Sequence, residues 1–183
     1  MTFEKSIYII TGGPGFGKTM LVEALKADNY LCSDEYARDL ILAQQELGGE
    51  ILPWKKPRLF QQEILRKRIA FFDSVPPDAV AFADRAIPDQ LAFARYKGFG
   101  APEILVEAAK QYRYASTVFV TPPWPEIFMN DPIRTETFEE AKIIHQIIVD
   151  TYKDLNYQIN ELPLLPLSER KKHILQNLLN IEY

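Results

Sequence analysis

The chain has 183 residues, a formal net charge of −4, and 47% hydrophobic and 25% charged residues, which is the make-up of one ordinary globular domain. That balance excludes a global basic field for nucleic acid or an anionic membrane, so neither is an expected partner. The single cysteine, Cys32, excludes an internal disulfide and, with only two histidines, leaves no ligand set for structural zinc.

No apolar run approaches the roughly 20 residues of a bilayer-spanning helix. Met1 to Lys5 lacks the basic-then-apolar layout of a secretory signal. A reducing cytoplasm is the expected location.

In chain order, Ser6 to Thr11 predicts a buried strand, and Lys18 to Ala27 a helix after a glycine-rich loop. Tyr30 to Ser33 reads as a short strand, followed by a helix from Asp34 to Leu47 that Gly48-Gly49 stops. Gly48 to Pro57 is a loop. From Arg58 to Phe72 the apolar positions Phe60, Ile64, Leu65, Ile69 and Phe72 mark one helical stripe. Pro76-Pro77 precedes the buried strand Ala79 to Ala83, which ends at Asp84. Helical patches then cover Asp89 to Tyr96 and Pro102 to Tyr112, and Thr117 to Thr121 is a fourth strand.

Pro125 to Arg134 reads as irregular. Thr137-Phe138-Glu139-Glu140 is a capping box opening a helix to about Leu155, with Phe138, Ala141, Ile144, Ile148 and Leu155 inward. Tyr157 to Leu162 is a fifth strand, and Ser168 caps a last helix with Ile174, Leu178 and Ile181 on its inner face. Strands alternating with helices predict an α/β fold, three layers with a five-stranded parallel sheet, in a single domain spanning 1–183.

The segment Gly12-Gly13-Pro14-Gly15-Phe16-Gly17-Lys18-Thr19 fits Gly-x-x-x-x-Gly-Lys-[Ser/Thr] at every specified position. Chance would produce that match in roughly one chain in a hundred of this length, and the flanking strand and helix lower it further. Glycines let backbone N–H groups converge on phosphate oxygens. The helix that begins near Gly17 and runs on through Met20 aims its N-terminal donors at the same anion. Lys18 supplies a mobile charge to the outer phosphates, and the Thr19 hydroxyl can ligate Mg²⁺. The loop therefore predicts a bound nucleoside triphosphate with magnesium.

Ligands of an open parallel sheet sit beyond the carboxyl ends of its strands. Asp84 occupies such an end and suits a carboxylate that holds the metal through water, although a helix N-cap is an alternative. Glu35 follows the second strand and can face the γ-phosphate as a general base; equally, it can be a first-turn acid of the next helix, with Asp34 as cap. Arg85, beside Asp84, is placed at the cleft mouth. Arg134 sits at the tip of a lid-like segment, about 125–141, between an irregular approach and a capped helix. Arg38 lies one turn beyond Glu35 but reads more simply as a surface charge.

Trp54, Lys55, Lys56 and Arg58 suit base stacking, though plain surface chemistry explains them as well. His145 reads as a partly buried packing residue and Cys32 as a small core residue.

The run Ile9 to Thr19 resembles the opening of a P-loop family of AAA-type ATPase/kinase-like domains. Relatives of the ribosylnicotinamide kinase domain of bacterial NAD regulators belong to it. The resemblance continues through Asp34 to Arg38, Asp84-Arg85, Pro122-Pro123-Trp124, Arg134 to Ala141 and Ser168-Glu169-Arg170. It implies a nucleoside- or nucleotide-kinase-like architecture, with Lys18, Thr19 and Asp84 serving triphosphate and metal. It also implies that Glu35 and Arg85 face the acceptor and that Arg134 is the lid arginine. The chain is too short for the added helical domain of a ring-forming AAA machine.

These readings converge on a magnesium-dependent phosphotransferase moving a phosphoryl group from ATP to the hydroxyl of a small, nucleoside-like molecule. The absence of an Asn-Lys-x-Asp signature favours ATP over GTP. A triphosphate hydrolase or switch acting on a protein partner is the alternative, and it lacks a distinctive water-positioning residue. A non-catalytic binding module is the third.

Overall fold

The computed structural model describes residues 3–129 and 135–179. In chain order these form β1 (Phe3–Glu4), β2 (Ile7–Gly12), α1 (Lys18–Ala27), β3 (Leu31–Cys32), α2 (Tyr36–Glu46), α3 (Pro57–Ser74), β4 (Ala81–Asp84), α4 (Ile87–Tyr96), α5 (Glu103–Gln111) and β5 (Tyr112–Arg113). There follow β6 (Thr117–Thr121), a 3-10 turn (Pro125–Ile127), α6 (Phe138–Asp154), β7 (Gln158–Glu161) and α7 (Leu167–Leu179). Five strands build one parallel sheet in the order β3-β4-β2-β6-β7.

Alternation along the central strands divides the core into two layers. Ile7 and Ile9 of β2, Ala81 and Ala83 of β4, and Val118 and Val120 of β6 join the layer covered by α3, α4, α5 and α6. Tyr8, Ile10, Phe82 and Phe119 point the other way, onto Leu21, Val22 and Leu25 of α1 and Ile174 of α7. Burial on both faces explains why β2 reads as an unbroken apolar run. A satellite cluster of Ile41, Leu52, Phe60 and Ile64 ties α2 to α3.

The expected elements recur with small shifts. β3 keeps only two residues, and Leu31 is 47% exposed because it lies on the sheet edge. α7 starts at Leu167, so Ser168 lies inside the first turn rather than capping it; Pro166 supplies the carbonyl that accepts from Arg170 N at 3.1 Å. Tyr112 is strand rather than helix, since β5 pairs with β1 in a separate two-stranded sheet. The capping box at Thr137 forms as read, with Thr137 N donating to Glu140 Oε2 at 2.7 Å and Glu140 N to Thr137 Oγ1 at 3.2 Å. Ile181 and Arg134 lie outside the described residues.

Among the described residues no helix is long and apolar enough to cross a membrane.

Candidate nucleotide site

From β2 the chain runs outward to β3, returns to β4 and then crosses to β6 on the other flank. Connections diverge at the carboxyl end of β2, which is where an open sheet leaves a crevice. The glycine loop fills that position. Gly12 ends β2 at φ 136°, and a Cβ there would collide with the Thr121 hydroxyl and carbonyl on β6. Gly17 is the N-cap of α1 in the left-handed region, φ 77°, with no side-chain capping bond and no acid in the first turn. The first N–H donors of α1 are therefore not taken by a cap, and no carboxylate of that turn opposes an anion.

Lys18 is buried, at 5% exposure, and its Nζ donates to the Gly13 carbonyl at 2.7 Å across the loop. Met20 next along α1 is 61% exposed. The Thr19 hydroxyl donates to Glu35 Oε2 at 3.2 Å, which joins the loop to the start of α2. Glu35 is the N-cap residue of α2 but makes no side-chain cap bond, so its carboxylate faces the loop rather than its own helix. Asp34 instead pairs with Lys26 at 3.2 Å on the surface.

Asp84 closes β4, paired in register with Ile10. Its backbone N–H donates to Ser33 Oγ at 2.9 Å, while its buried Oδ1 has no hydrogen-bond partner. Asp84 does not cap α4, because Asp89 Oδ2 accepts from Ala86 N there at 2.8 Å. Burial pushes the Asp84 carboxyl up to about 6; Lys18 opposes that rise and Glu35 adds to it. An orphaned buried carboxylate oxygen within the field of Lys18 and Glu35 fits the sparse protein share of a magnesium site. Mg²⁺ takes one or two carboxylates and fills its remaining positions with phosphate and water. Among the described residues there is no cluster of three or more His, Cys, Asp or Glu that could hold a metal by itself.

Arg85 differs from its expected place at the cleft mouth. Its backbone takes φ 61°, and the side chain, 12% exposed, turns inward to donate to Asp89 Oδ1 at 2.9 Å. The guanidinium also lies 5.1 Å from the centre of the Phe93 ring. Asp89 is fully buried and accepts from Thr11, Tyr152, Arg85 and Ala86. Burial alone would raise its carboxyl, but Arg85, Arg68 and the two hydroxyl donors outweigh that and hold it below the ordinary carboxylate range. In the sequence Asp89 marks only the start of a helix. The signal available was its i,i+4 spacing from Arg85.

Phe16, within the loop, contacts Phe128, Phe138 and His145 with ring centres 5.9–6.2 Å apart. Burial, then the charges of Lys18 and Arg85, push the His145 imidazole down to about 4, and its Nδ1 is buried without a partner. His145 is thus a packing residue, as expected, but one set against the phosphate loop. Trp54 is 60% exposed and Lys56 pairs with Glu50, so that loop has the character of surface. Arg38 is half-buried in the first turn of α2.

The fold and loop define a P-loop nucleotide-binding domain of the kinase-like α/β type. The family model described as an AAA domain matches residues 7–170, and the chain belongs to that family. No curated protein matches the sequence at a significant level. Among solved structures, a NadR protein in complex with NR aligns at TM-score 0.60 and 20% identity, covering 87% of this chain but only 46% of that one. The shikimate kinase of Aquifex aeolicus aligns at TM-score 0.54 and 16% identity over 96% of both chains. The thymidylate kinase of Ehrlichia chaffeensis aligns at TM-score 0.56 and 14% identity, over 95% of this chain and 98% of that one. These likenesses show the fold, the α/β architecture that the NadR protein and the two kinases share.

Proposed function

We propose that the chain, acting as one domain, is a magnesium-dependent phosphotransferase that moves the γ-phosphoryl group of ATP to a hydroxyl of a small, nucleoside-like acceptor. The observation that carries this reading is the Glu35 carboxylate, turned off its own helix and hydrogen-bonded to Thr19 beside the loop. A triphosphate seated on the N–H groups of Gly13 and of Gly15 to Met20 would direct its γ-phosphate toward Thr19, Asp84 and Glu35. Bound magnesium would neutralise the β- and γ-phosphate oxygens, held by the Thr19 hydroxyl and, through water, by Asp84.

Glu35 accepts the acceptor hydroxyl's proton as that oxygen bonds to the γ-phosphorus and the bond to the β-phosphate oxygen breaks, releasing ADP. Lys18, released from the Gly13 carbonyl, places its charge on the outer phosphates. Arg85 acts from behind, holding Asp89 and the turn after Asp84 in place. Two solved neighbours hold small molecules, NR in the NadR protein and shikimate in a shikimate kinase of Acinetobacter baumannii, which supports a small-molecule acceptor over a protein one.

Screening ATP consumption against a panel of nucleosides and other small polyols tests the reading. An acceptor that accelerates consumption and itself gains phosphate is the predicted result. Slow hydrolysis indifferent to every hydroxyl compound would instead mark a triphosphate hydrolase.

A further inference from the structure

Arg170 lies in the first turn of α7 and is buried, at 5% exposure. Its guanidinium sits 5.2 Å from the centre of the Trp124 ring, and Nη1 lies 3.2 Å from the point a Cβ on Gly17 would occupy. The group is therefore held between an indole that follows β6 and the last glycine of the phosphate loop. Its Nε is buried with no hydrogen-bond partner. Among the described residues no carboxylate pairs with it, and burial alone lowers its proton affinity with no acid opposing.

The other buried cations near the loop have acids close by. Arg85 and Arg68 face Asp89, and Lys18 faces Asp84. Among the described residues Arg170 has only the face of an aromatic ring, and a cation–π contact does not offset the desolvation of a buried charge. A guanidinium kept in such a place needs an anion that arrives from outside. The direction of that anion follows from topology. Thr19, Glu35 and Asp84 gather toward β3 and β4, whereas Trp124 and Arg170 follow β6 and β7 on the opposite side of β2. A nucleotide whose γ-phosphate points at the first group carries its nucleoside-proximal phosphate toward the second.

We infer that Arg170, stacked on Trp124, is the positioning residue for the nucleoside-proximal phosphate of the bound nucleotide. The assignment rests on the nucleotide-binding reading above and adds a prediction to it. Arg170 recognises nucleoside diphosphates and triphosphates alike, whereas Lys18 discriminates in favour of triphosphates.

Calorimetric titration of ADP, ATP and adenosine into wild type, Arg170→Met, Arg170→Lys and Lys18→Ala tests it, with melting of each chain in the absence of nucleotide. Arg170→Met is expected to weaken ADP and ATP by a similar factor, roughly 10- to 100-fold, and to leave adenosine unchanged. Its melting temperature without nucleotide should equal or exceed that of wild type, because an uncompensated charge has been removed. Arg170→Lys should retain most of the affinity for both nucleotides, and Lys18→Ala should weaken ATP more than ADP.

Arg170→Met binding ADP within twofold of wild type, or weakening ATP alone, would overturn the inference. So would an Arg170→Met chain less stable than wild type without nucleotide, which would mark a packing role. Wild type that binds neither nucleotide would remove the underlying reading itself, a result distinct from failure of the variants.

Discussion

Replacing Asp84 by Asn separates stability from function in opposite directions. Asp84 is 4% exposed, one carboxylate oxygen lacks a partner, and the proton is held up to about 6 rather than the ordinary 3.8. At neutral pH the ionised form therefore costs the nucleotide-free protein about 3 kcal/mol relative to an unperturbed carboxylate. Because the folded value lies above the unfolded one, stability falls as pH rises from about 4 through about 6. Asparagine removes the charge at nearly constant volume. Asp84→Asn should then melt ~6–12 °C higher than wild type at pH 7 without nucleotide, at 2–4 °C per kcal/mol for a domain of this size.

With magnesium and ATP the gap should narrow or close. Wild type should gain about 3 kcal/mol at a hundredfold excess over its dissociation constant, while the variant loses the magnesium-dependent part. Magnesium-supported nucleotide affinity of wild type should also rise with pH through about 6, as the carboxylate ionises. Melting curves with and without ATP and magnesium, from pH 5 to 8, read all of this. An Asp84→Asn chain less stable than wild type alone, yet equally stabilised by magnesium–ATP, would refute the reasoning.

Two further changes probe the surroundings of the loop. Asp89→Ala should cost about 3–5 kcal/mol in a urea melt, because it strands the buried charges of Arg85 and Arg68 as well as two hydroxyl donors; a loss under 1 kcal/mol would show that the network is replaceable. His145, whose folded pKa is pushed down to about 4, makes the protein lose stability as pH falls from about 6.5 toward 4, since the unfolded chain binds the proton more readily. His145→Leu should flatten that acid-side loss and be neutral or slightly stabilising at pH 7, as judged by denaturant midpoints against pH. An unchanged pH profile would contradict it.

What could be read in advance tracks how local its cause is. The phosphate loop needs only eight consecutive residues and the strand before it, and Asp84 needs only its place at a strand end. The inward turn of Arg85 depends on Asp89, four residues on, and also on Thr11 and Tyr152 from two other elements. Arg170 gains its meaning only when α7 packs beside α1 and brings it against Gly17, a pairing that no periodicity signals. The two-residue β1 and β5 were missed for a similar reason, since their pairing joins Phe3 to Tyr112 across most of the chain. Side-chain direction was the other gap. Sequence position puts Glu35 at the head of a helix, where the dipole alone explains an acid, and only the bond from Thr19 shows that it faces the loop.

The central claim is that Glu35 takes a proton from an acceptor hydroxyl during phosphoryl transfer. Acceptor-dependent phosphate transfer from ATP, measured for wild type and Glu35→Gln with the best acceptor of the panel, tests it most directly. The predicted result is a kcat lower by roughly 10²- to 10⁴-fold, with ATP affinity within a fewfold of wild type. Transfer at an undiminished kcat in Glu35→Gln would contradict the account.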